Sequence, residues 1–365
     1  MIKIFLKSTI RNLLQNKFYS IINIVGLAIG ITATVLIMLY VQSELSYDRY
    51  HEKSSSIYRV NLFAVLSDNE FDSPVTCPPL AKVLEEEFPE VETAVRFANF
   101  TQPVIRYEED VFSETNWFFT DPDFFDVFTA PFILGNAEDA LVQPYSVVLT
   151  ELTAQKYFGN ENPIGKSLRW DNDQQYVVTG VIRNFPQNSH FKPDFLASLV
   201  GQPLDKDPQW INNQLYTYLV LKEGYSMQDI ETKFPDLVRK YVGPQVKQGL
   251  GVSYDDFLAG GAKYDFYLQP LTDIHFESKS TANLEPGGNK SYMIIFSIIA
   301  IFIMAIACIN FMNLATARSA KRAKEVGIRK TSGSNRGFLI SQFLSESVII
   351  TFISMVLAMV LIKLF

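Results

Sequence analysis

Residues 317–336 read ARSAKRAKEVGIRKTSGSNR, with seven Lys or Arg against one acid, Glu325. One apolar run ends just before this stretch, near Leu314, and another begins just after it, near Phe338. A basic loop pinned between two runs of membrane-crossing length is expected on the cytoplasmic side. Three such runs occur: residues 18–41 and 292–314, both without charge, and 338–365, with Glu346 and Lys363 towards its two ends. The first could be taken for a secretory signal, but its apolar core is too long and no small-x-small cleavage site follows, so it reads as an uncleaved anchor.

Orientation follows from loop charge. Residues 1–17 carry Lys3, Lys7, Arg11 and Lys17 and no acid. The first span is therefore expected to run outwards, the second to return at the basic loop, and the third to leave again. Residues 42–291 would then form one extracytoplasmic domain of 250 residues. Of the chain's 32 bases and 39 acids, 12 bases and two acids lie outside that domain, which leaves it at −17. Such a charge argues against nucleic acid as a partner, because nucleic-acid binding needs a basic footprint.

Residues 1–17 read as an amphipathic helix at the cytoplasmic membrane interface, with Ile2, Phe5, Leu6, Ile10, Leu13 and Leu14 at helical spacing. Gly26 and Gly30 form a small-xxx-small pattern in the first span, where glycines allow close helix packing. Asn23, Asn310 and Asn313 lie near the cytoplasmic ends of the spans, either to bond between helices or to sit at the wet interface. Cys77 belongs to the outer domain and Cys308 to the second span, so the two would not pair. Cys77 reads as a small buried residue.

The outer domain mixes both kinds of element. Residues 57–65, 146–149, 176–182, 215–221 and 264–268 are rich in β-branched and aromatic residues and read as strands. Residues 79–88, 151–158 and 226–241 read as helices, the last bent or split by Pro235. The irregular alternation predicts an α+β domain. The aromatic-rich stretch 117–132 suggests a second subdomain.

Little in the outer domain reads as a reactive site. The segment from Gly159 to Ser167, GNENPIGKS, looks like a phosphate loop, but it has five residues between its glycines instead of four, and Pro163 removes an amide. It reads as a turn between a helix and a strand. His51, His190 and His275 have no metal-ligand spacing. Asp121 with Asp123, and Glu85 to Glu87, read as solvated surface, and no G-x-S-x-G elbow occurs.

The basic loop remains. Residues 313–330 can form a helix continuing the second span, with Arg318, Arg322 and Arg329 close to one face and Gly327 and Gly333 ending or turning it. It reads either as an ordinary positive-inside loop or as a short helix that docks on a cytoplasmic partner.

Several segments together resemble the FtsX/MacB-type family of ABC transporter permeases over essentially the whole chain. FYSIINIVGLAIGITATVLI resembles the family's first span, and DRYHEKSSSIYRV the start of its outer domain. YSVVLTELTAQKYFGNENPIGKSL is similar to the MacB-like periplasmic core signature with its "piGk" turn. RAKEVGIRKTSGSNRGFLISQFLSES resembles the inner loop, with Glu325, Gly327, Arg329, Lys330, Gly333 and Glu346 on matching positions. One departure is Ser332-Gly333-Ser334, where many members carry a Gly-Ala pair.

The resemblance implies a multi-pass α-helical membrane protein with a large α+β extracytoplasmic domain of the MacB-like periplasmic core type, in a bacterial inner membrane. It implies a permease subunit without catalytic, metal or directly bound cofactor sites, whose ATP and magnesium sit on a partner cytoplasmic ABC ATPase. Arg318, Arg322, Glu325, Gly327, Arg329, Lys330 and Gly333 would form the coupling segment. Further partners implied are a second permease half or a second copy, membrane lipid and a periplasmic adaptor. Mechanotransmission rather than carriage through a pore fits spans whose first two members lack central charges. The sequence is expected to be the N-terminal half of the large form common in Bacteroidetes-like bacteria, cut at the end of its third span. A membrane-anchored sensor is the alternative; it predicts an inner signalling domain in place of the basic loop. An anchored extracytoplasmic hydrolase would need a nucleophile–base constellation, and none is visible.

Overall fold

The structure, a computed structural model, describes residues 11, 17–66, 69–99, 102–171, 174–277, 283–321, 326–328, 331 and 336–364. The expected amphipathic helix over 1–17 falls almost wholly outside them. The chain divides into two compact units, residues 1–45 with 289–365, and residues 46–288.

The first unit holds three helices, Lys17–Leu45, Lys290–Lys321 and Arg336–Ile362. Each contains a stretch long and apolar enough to cross a membrane, with mean hydropathy of 2.4, 2.8 and 2.2. Large side chains such as Phe302, Ile306, Val348 and Phe352 are more than 60% exposed, as suits helices that face lipid. The second helix passes the expected boundary at Leu314 and runs on to Lys321, so the end of the span and the first basic residues share one axis.

The second unit is built on one mixed sheet. Its strands are β1 (Ile57–Leu66), β2 (Asn69–Ser73), β3 (Val91–Ala98), β4 (Val104–Tyr107), β5 (Asp110–Ser113), β6 (Trp117–Thr120), β7 (Phe132–Leu134), β8 (Ser146–Thr150), β9 (Ser167–Trp170), β10 (Gln174–Ile182), β11 (Phe195–Ser198), β12 (Tyr216–Leu221) and β13 (Lys263–Pro270). The order along the sheet is β13-β1-β12-β3-β6-β11-β8-β10-β9-β4-β5, with β2 on β1 and β7 on β10. The β8–β10 and β6–β11 pairs are parallel and the other strand pairs antiparallel. All five expected strands are present. The expected helix over 226–241 is split into Met227–Glu231 and Phe234–Leu250. Pro235 falls in the first turn of the latter, where its missing N–H costs no hydrogen bond.

Local chemistry explains several joints. Thr150 caps the helix Glu151–Phe158 by accepting from the Thr153 amide. The turn that follows uses Gly165 at φ +82°. There the Gly165 amide donates to the Val178 carbonyl and the Lys166 amide to the Pro163 carbonyl. The Lys166 ammonium pairs with Glu161. The amides a phosphate would need are therefore already engaged, and the geometry is that of a turn.

Two expectations are corrected. The aromatic stretch 117–132 is no separate subdomain: β6 pairs with β3 and β11 inside the common sheet. Trp117 lies fully buried there, 4.8 Å from the Phe195 ring and 5.0 Å from Tyr176. Nor is Asp121 solvated surface. It is buried, and its two oxygens accept from Arg96 Nη2 and Nε at 2.7 and 2.9 Å. Arg96 also donates to Asp205 and to the Pro78 carbonyl, so its fork is fully engaged. Glu85 stays on the exposed surface, as expected, while its carboxylate accepts from the Ala94 amide at 2.7 Å. Both acids tie neighbouring segments to β3, a role that adjacent charges in the sequence do not reveal.

Candidate functional site

Two places bear on how the chain works: the seam between the first two spans and the collar, residues 46–56, that opens the outer domain.

The seam is made of small residues. A Cβ added to Gly30 would lie 2.5 Å from the Ala307 Cβ, a separation no real pair of carbons tolerates, and one on Gly26 would lie 3.6 Å from Asn310 Nδ2. Further along, Thr34 Oγ1 donates to the Ala300 carbonyl at 3.3 Å, and Tyr40 meets Phe296 edge-on at 5.8 Å. The glycine pair thus seats the second span against the first within one chain. The third span buries one side with a period of four, through Glu346, Ile350, Ser354 and Ala358. Asn23 is buried at 1% exposure with neither amide atom bonded, whereas Asn310 and Asn313 are exposed. The three asparagines therefore divide: Asn23 is enclosed in the helix packing, Asn310 lies exposed at its edge beside Gly26, and Asn313 is exposed.

The predicted coupling residues are reached only in part. Gly327 is described; it is exposed, and a Cβ there would meet nothing within 4 Å. Beside it Ile328 is 60% exposed. Arg318 has its backbone in the second helix. Its side chain, and Arg322, Glu325, Arg329, Lys330 and Gly333, lie outside the described residues.

The collar begins at the residue after the first helix. Asp48 takes the left-handed conformation at φ +57°, which acidic and amide residues tolerate better than most. Its amide donates to the Asn188 carbonyl, and Asn188 Nδ2 donates back to the Ser46 carbonyl and hydroxyl at 3.0 and 2.8 Å. The His190 amide donates to Asp48 Oδ1 at 3.0 Å. His190 Nδ1 lies 2.9 Å from the same oxygen, at an angle outside hydrogen-bond geometry. On its other side, His190 Nε2 bonds the Tyr218 hydroxyl at 2.7 Å. Tyr50 bonds Ser189, and the Tyr47 ring stacks on His275 at 3.6 Å.

His51 completes the collar. Its Nδ1 accepts from the Thr129 amide at 3.0 Å, so its proton belongs on Nε2, which is buried without a partner. Burial pushes the imidazole down to about 3, far below its ordinary value, so it is neutral. Burial also works to raise the Asp48 carboxyl, but His190 carries it below the usual carboxylate range. Sequence spacing put His51 and His190 far apart. The fold brings both against Phe191, with ring centroids at 6.0 and 4.7 Å. Only long-range pairing could have shown this. Among the described residues no group of three His, Cys, Asp or Glu could hold a metal ion. Cys77 is fully buried, and burial raises its thiol to about 12, which leaves it unreactive.

A family model for the MacB-like periplasmic core domain matches residues 20–237, and one for the FtsX-like permease C-terminal region matches residues 297–365. The chain belongs to the FtsX/MacB family of ABC transporter permeases. The permease is 23% identical to the uncharacterised ABC transporter permease YvrN of Bacillus subtilis over 369 residues, covering 96% of this chain and 84% of that one. It is 24% identical over 216 residues to the macrolide export ATP-binding/permease protein MacB of Neisseria meningitidis serogroup A. That match covers 58% of this permease but only 28% of the Neisseria protein. A solved domain of a Porphyromonas gingivalis permease protein shares the fold at a TM-score of 0.52 and 22% identity, covering 61% of this chain and 92% of that domain. The permease is a membrane protein with a large α+β domain of the MacB periplasmic type.

Proposed function

We propose that the chain is the transmembrane subunit of an ABC transporter, coupling ATP hydrolysis by a separate cytoplasmic ATPase to work done outside the membrane. The observation that carries this reading is the position of the basic segment. Residues 317–336 fall inside the stretch matched by the FtsX-like permease model, and the helix of the second span runs into them as far as Lys321. Its seven bases would face the cytoplasm by the positive-inside rule, which sets the N-terminus inside and residues 42–291 outside.

The proposed mechanism is mechanical. ATP-driven closure of the ATPase displaces the segment containing Arg318, Arg322, Glu325, Gly327, Arg329, Lys330 and Gly333. The glycine seam couples the second span to the first, because Gly30 and Ala307 leave no slack between them. The first helix runs without interruption to Leu45, and the next residue opens the collar that fastens the chain to the outer domain. A second permease half or a second copy would stand beside the chain, and a periplasmic adaptor could receive the motion. ATP and magnesium would stay on the ATPase.

The test is affinity capture of the full chain from native membranes in mild detergent, with mass spectrometry of what comes with it. An ABC ATPase that is recovered with the native sequence, and lost when residues 317–336 are scrambled, supports the proposal. Capture of a kinase or another signalling protein without an ATPase overturns it in favour of the sensor. In the assembled complex, Glu325→Gln and Gly327→Leu are expected to leave insertion intact but uncouple ATPase turnover from the outer task. Normal coupling in both would remove the docking role.

A further inference from the structure

The outer domain contains an open cavity of about 440 Å³, well within the size range of ligand sites. Its floor is the β1–β2 hairpin, through Leu62, Ala64 and Phe71. Its walls are Val246 and Leu250 from the helix Phe234–Leu250, and Phe257 from the helix Tyr254–Ala259. Among the described residues no charged side chain lines it. Leu66, Phe71, Ile211 and Leu250 at its mouth are between 41% and 64% exposed. Clustered exposure of this kind marks a binding surface more often than chance.

The polar groups in the lining need nothing from a ligand. Asn213 Nδ2 donates to the Tyr264 hydroxyl at 2.9 Å, and that hydroxyl donates to the Trp210 carbonyl at 3.0 Å. Gln245 accepts from the Trp210 amide at 2.8 Å and donates to the Pro208 carbonyl at 3.1 Å. Ser73 Oγ accepts from the Val75 amide. With its own polar atoms bonded, the groove selects for apolar surface rather than for hydrogen-bonding groups.

One residue leaves space in the groove. Gly249 lines it from the last turn of a helix, where glycine costs ~1 kcal/mol relative to alanine. Gly243, in the same helix, lies against the Tyr254 side chain, 3.4 Å from where its Cβ would be. Nothing lies within 4 Å of the Cβ position of Gly249, and its φ is not positive, so neither packing nor backbone conformation requires glycine there. What its missing side chain leaves free is the cavity.

We propose that this groove binds the hydrocarbon tail of a lipid-like amphiphile whose head stays in water. The surrounding segment, residues 42–291, carries a charge of −17, which repels free anionic amphiphiles and so favours an uncharged or cationic head. This goes beyond the transporter reading and stands whether or not an ATPase docks below.

The test uses the full chain in nanodiscs and a monoacylglycerol carrying a diazirine in its tail. After illumination, adducts are mapped by peptide mass spectrometry. The expected result is labelling of the peptides spanning 62–73 and 246–250, reduced at least several-fold by Gly249→Phe, whose Cβ position meets nothing within 4 Å, and by Leu250→Ser at its mouth. Labelling of the spans in the same samples should not change, which reports that each variant is inserted. A diazirine fatty acid should label the groove several-fold less. Adducts confined to the spans, or groove adducts indifferent to Gly249→Phe, overturn the proposal. So does a benzoylphenylalanine at position 71 that cross-links to a protein, or to a second copy, instead of the probe. Equal labelling by the fatty acid overturns the assignment of the head.

Discussion

Arg96 and Asn23 are both buried polar residues, and the two units treat them in opposite ways. Arg96, in the outer domain, is 9% exposed and has every donor of its guanidinium placed on a carboxylate or a carbonyl. Asn23, among the spans, is 1% exposed and bonds nothing. A satisfied buried group holds its surroundings together, whereas an unsatisfied one works against them. The outer domain is therefore organised by specific polar ties between loops and strands. The spans are organised by the fit of small residues, with Asn23 as a residual cost.

The contrast can be broken at several points. Arg96→Met should have the largest effect, because it strands Asp121 and Asp205 without their cation. Losing one partner of a buried pair costs ~3–5 kcal/mol, which would appear as a large drop in the unfolding midpoint of the outer domain. A change below 1 kcal/mol would mean that loop 205 relaxes to solvate both acids. Gly30→Val should come next. Its Cβ would collide with Ala307, and overpacking of this kind costs ~1–3 kcal/mol. Unfolding in mixed detergent should report that loss, with partial rescue by Ala307→Gly and little effect from Gly26→Ala.

The collar should respond to acid. His51 is neutral in the fold because burial holds it down to about 3, whereas an unfolded histidine titrates near 6.5. Between those values the unfolded state binds the extra proton, so stability is complete above about pH 6.5 and falls as pH drops, by at most ~1.4 kcal/mol per unit. Asp48, also lowered, adds a loss in the same direction at lower pH. Protection factors of amides 46–56, with the intrinsic pH dependence of exchange divided out, should fall from pH 7.5 to 5.5, and His51→Gln should flatten that response. A flat native profile would show that the collar accommodates imidazolium. The smallest effect expected is a gain. Asn23→Leu removes an unbonded amide from the helix packing and should stabilise the spans by about 1 kcal/mol. A loss of stability would mean that Asn23 has a partner in the assembled transporter.

Much of this architecture can be read from the sequence. The spans are plain because twenty apolar residues in a row have few other uses. Strands such as Tyr176–Ile182 and Tyr216–Leu221 show their β-branched and aromatic character openly. Others are hidden. Phe195–Ser198 is four residues long and buried throughout, so it has no alternation to display. Val91–Ala98 carries Glu92 and Arg96 amid apolar neighbours and becomes a strand through pairing with β12 and β6. Pro244 lies inside a helix that the sequence alone would have ended earlier. The glycine seam was visible as a spacing, but its partner Ala307 was not. The collar was least legible, because its bonds join residues about 140 positions apart, and no local pattern encodes such a meeting.

The sheet order has a consequence for load. β1 follows the collar and β13 precedes the second span, and the two are antiparallel neighbours in register from Tyr58 opposite Pro270 to Val65 opposite Lys263. Both tethers of the outer domain therefore leave from the same end of one hydrogen-bonded ladder. Drawing them apart would unzip that ladder one rung at a time, its weakest direction, whereas moving them in step stresses no rung. Under the proposed coupling, tethers that move in step would carry the domain as one piece, with the β1–β13 ladder unstrained.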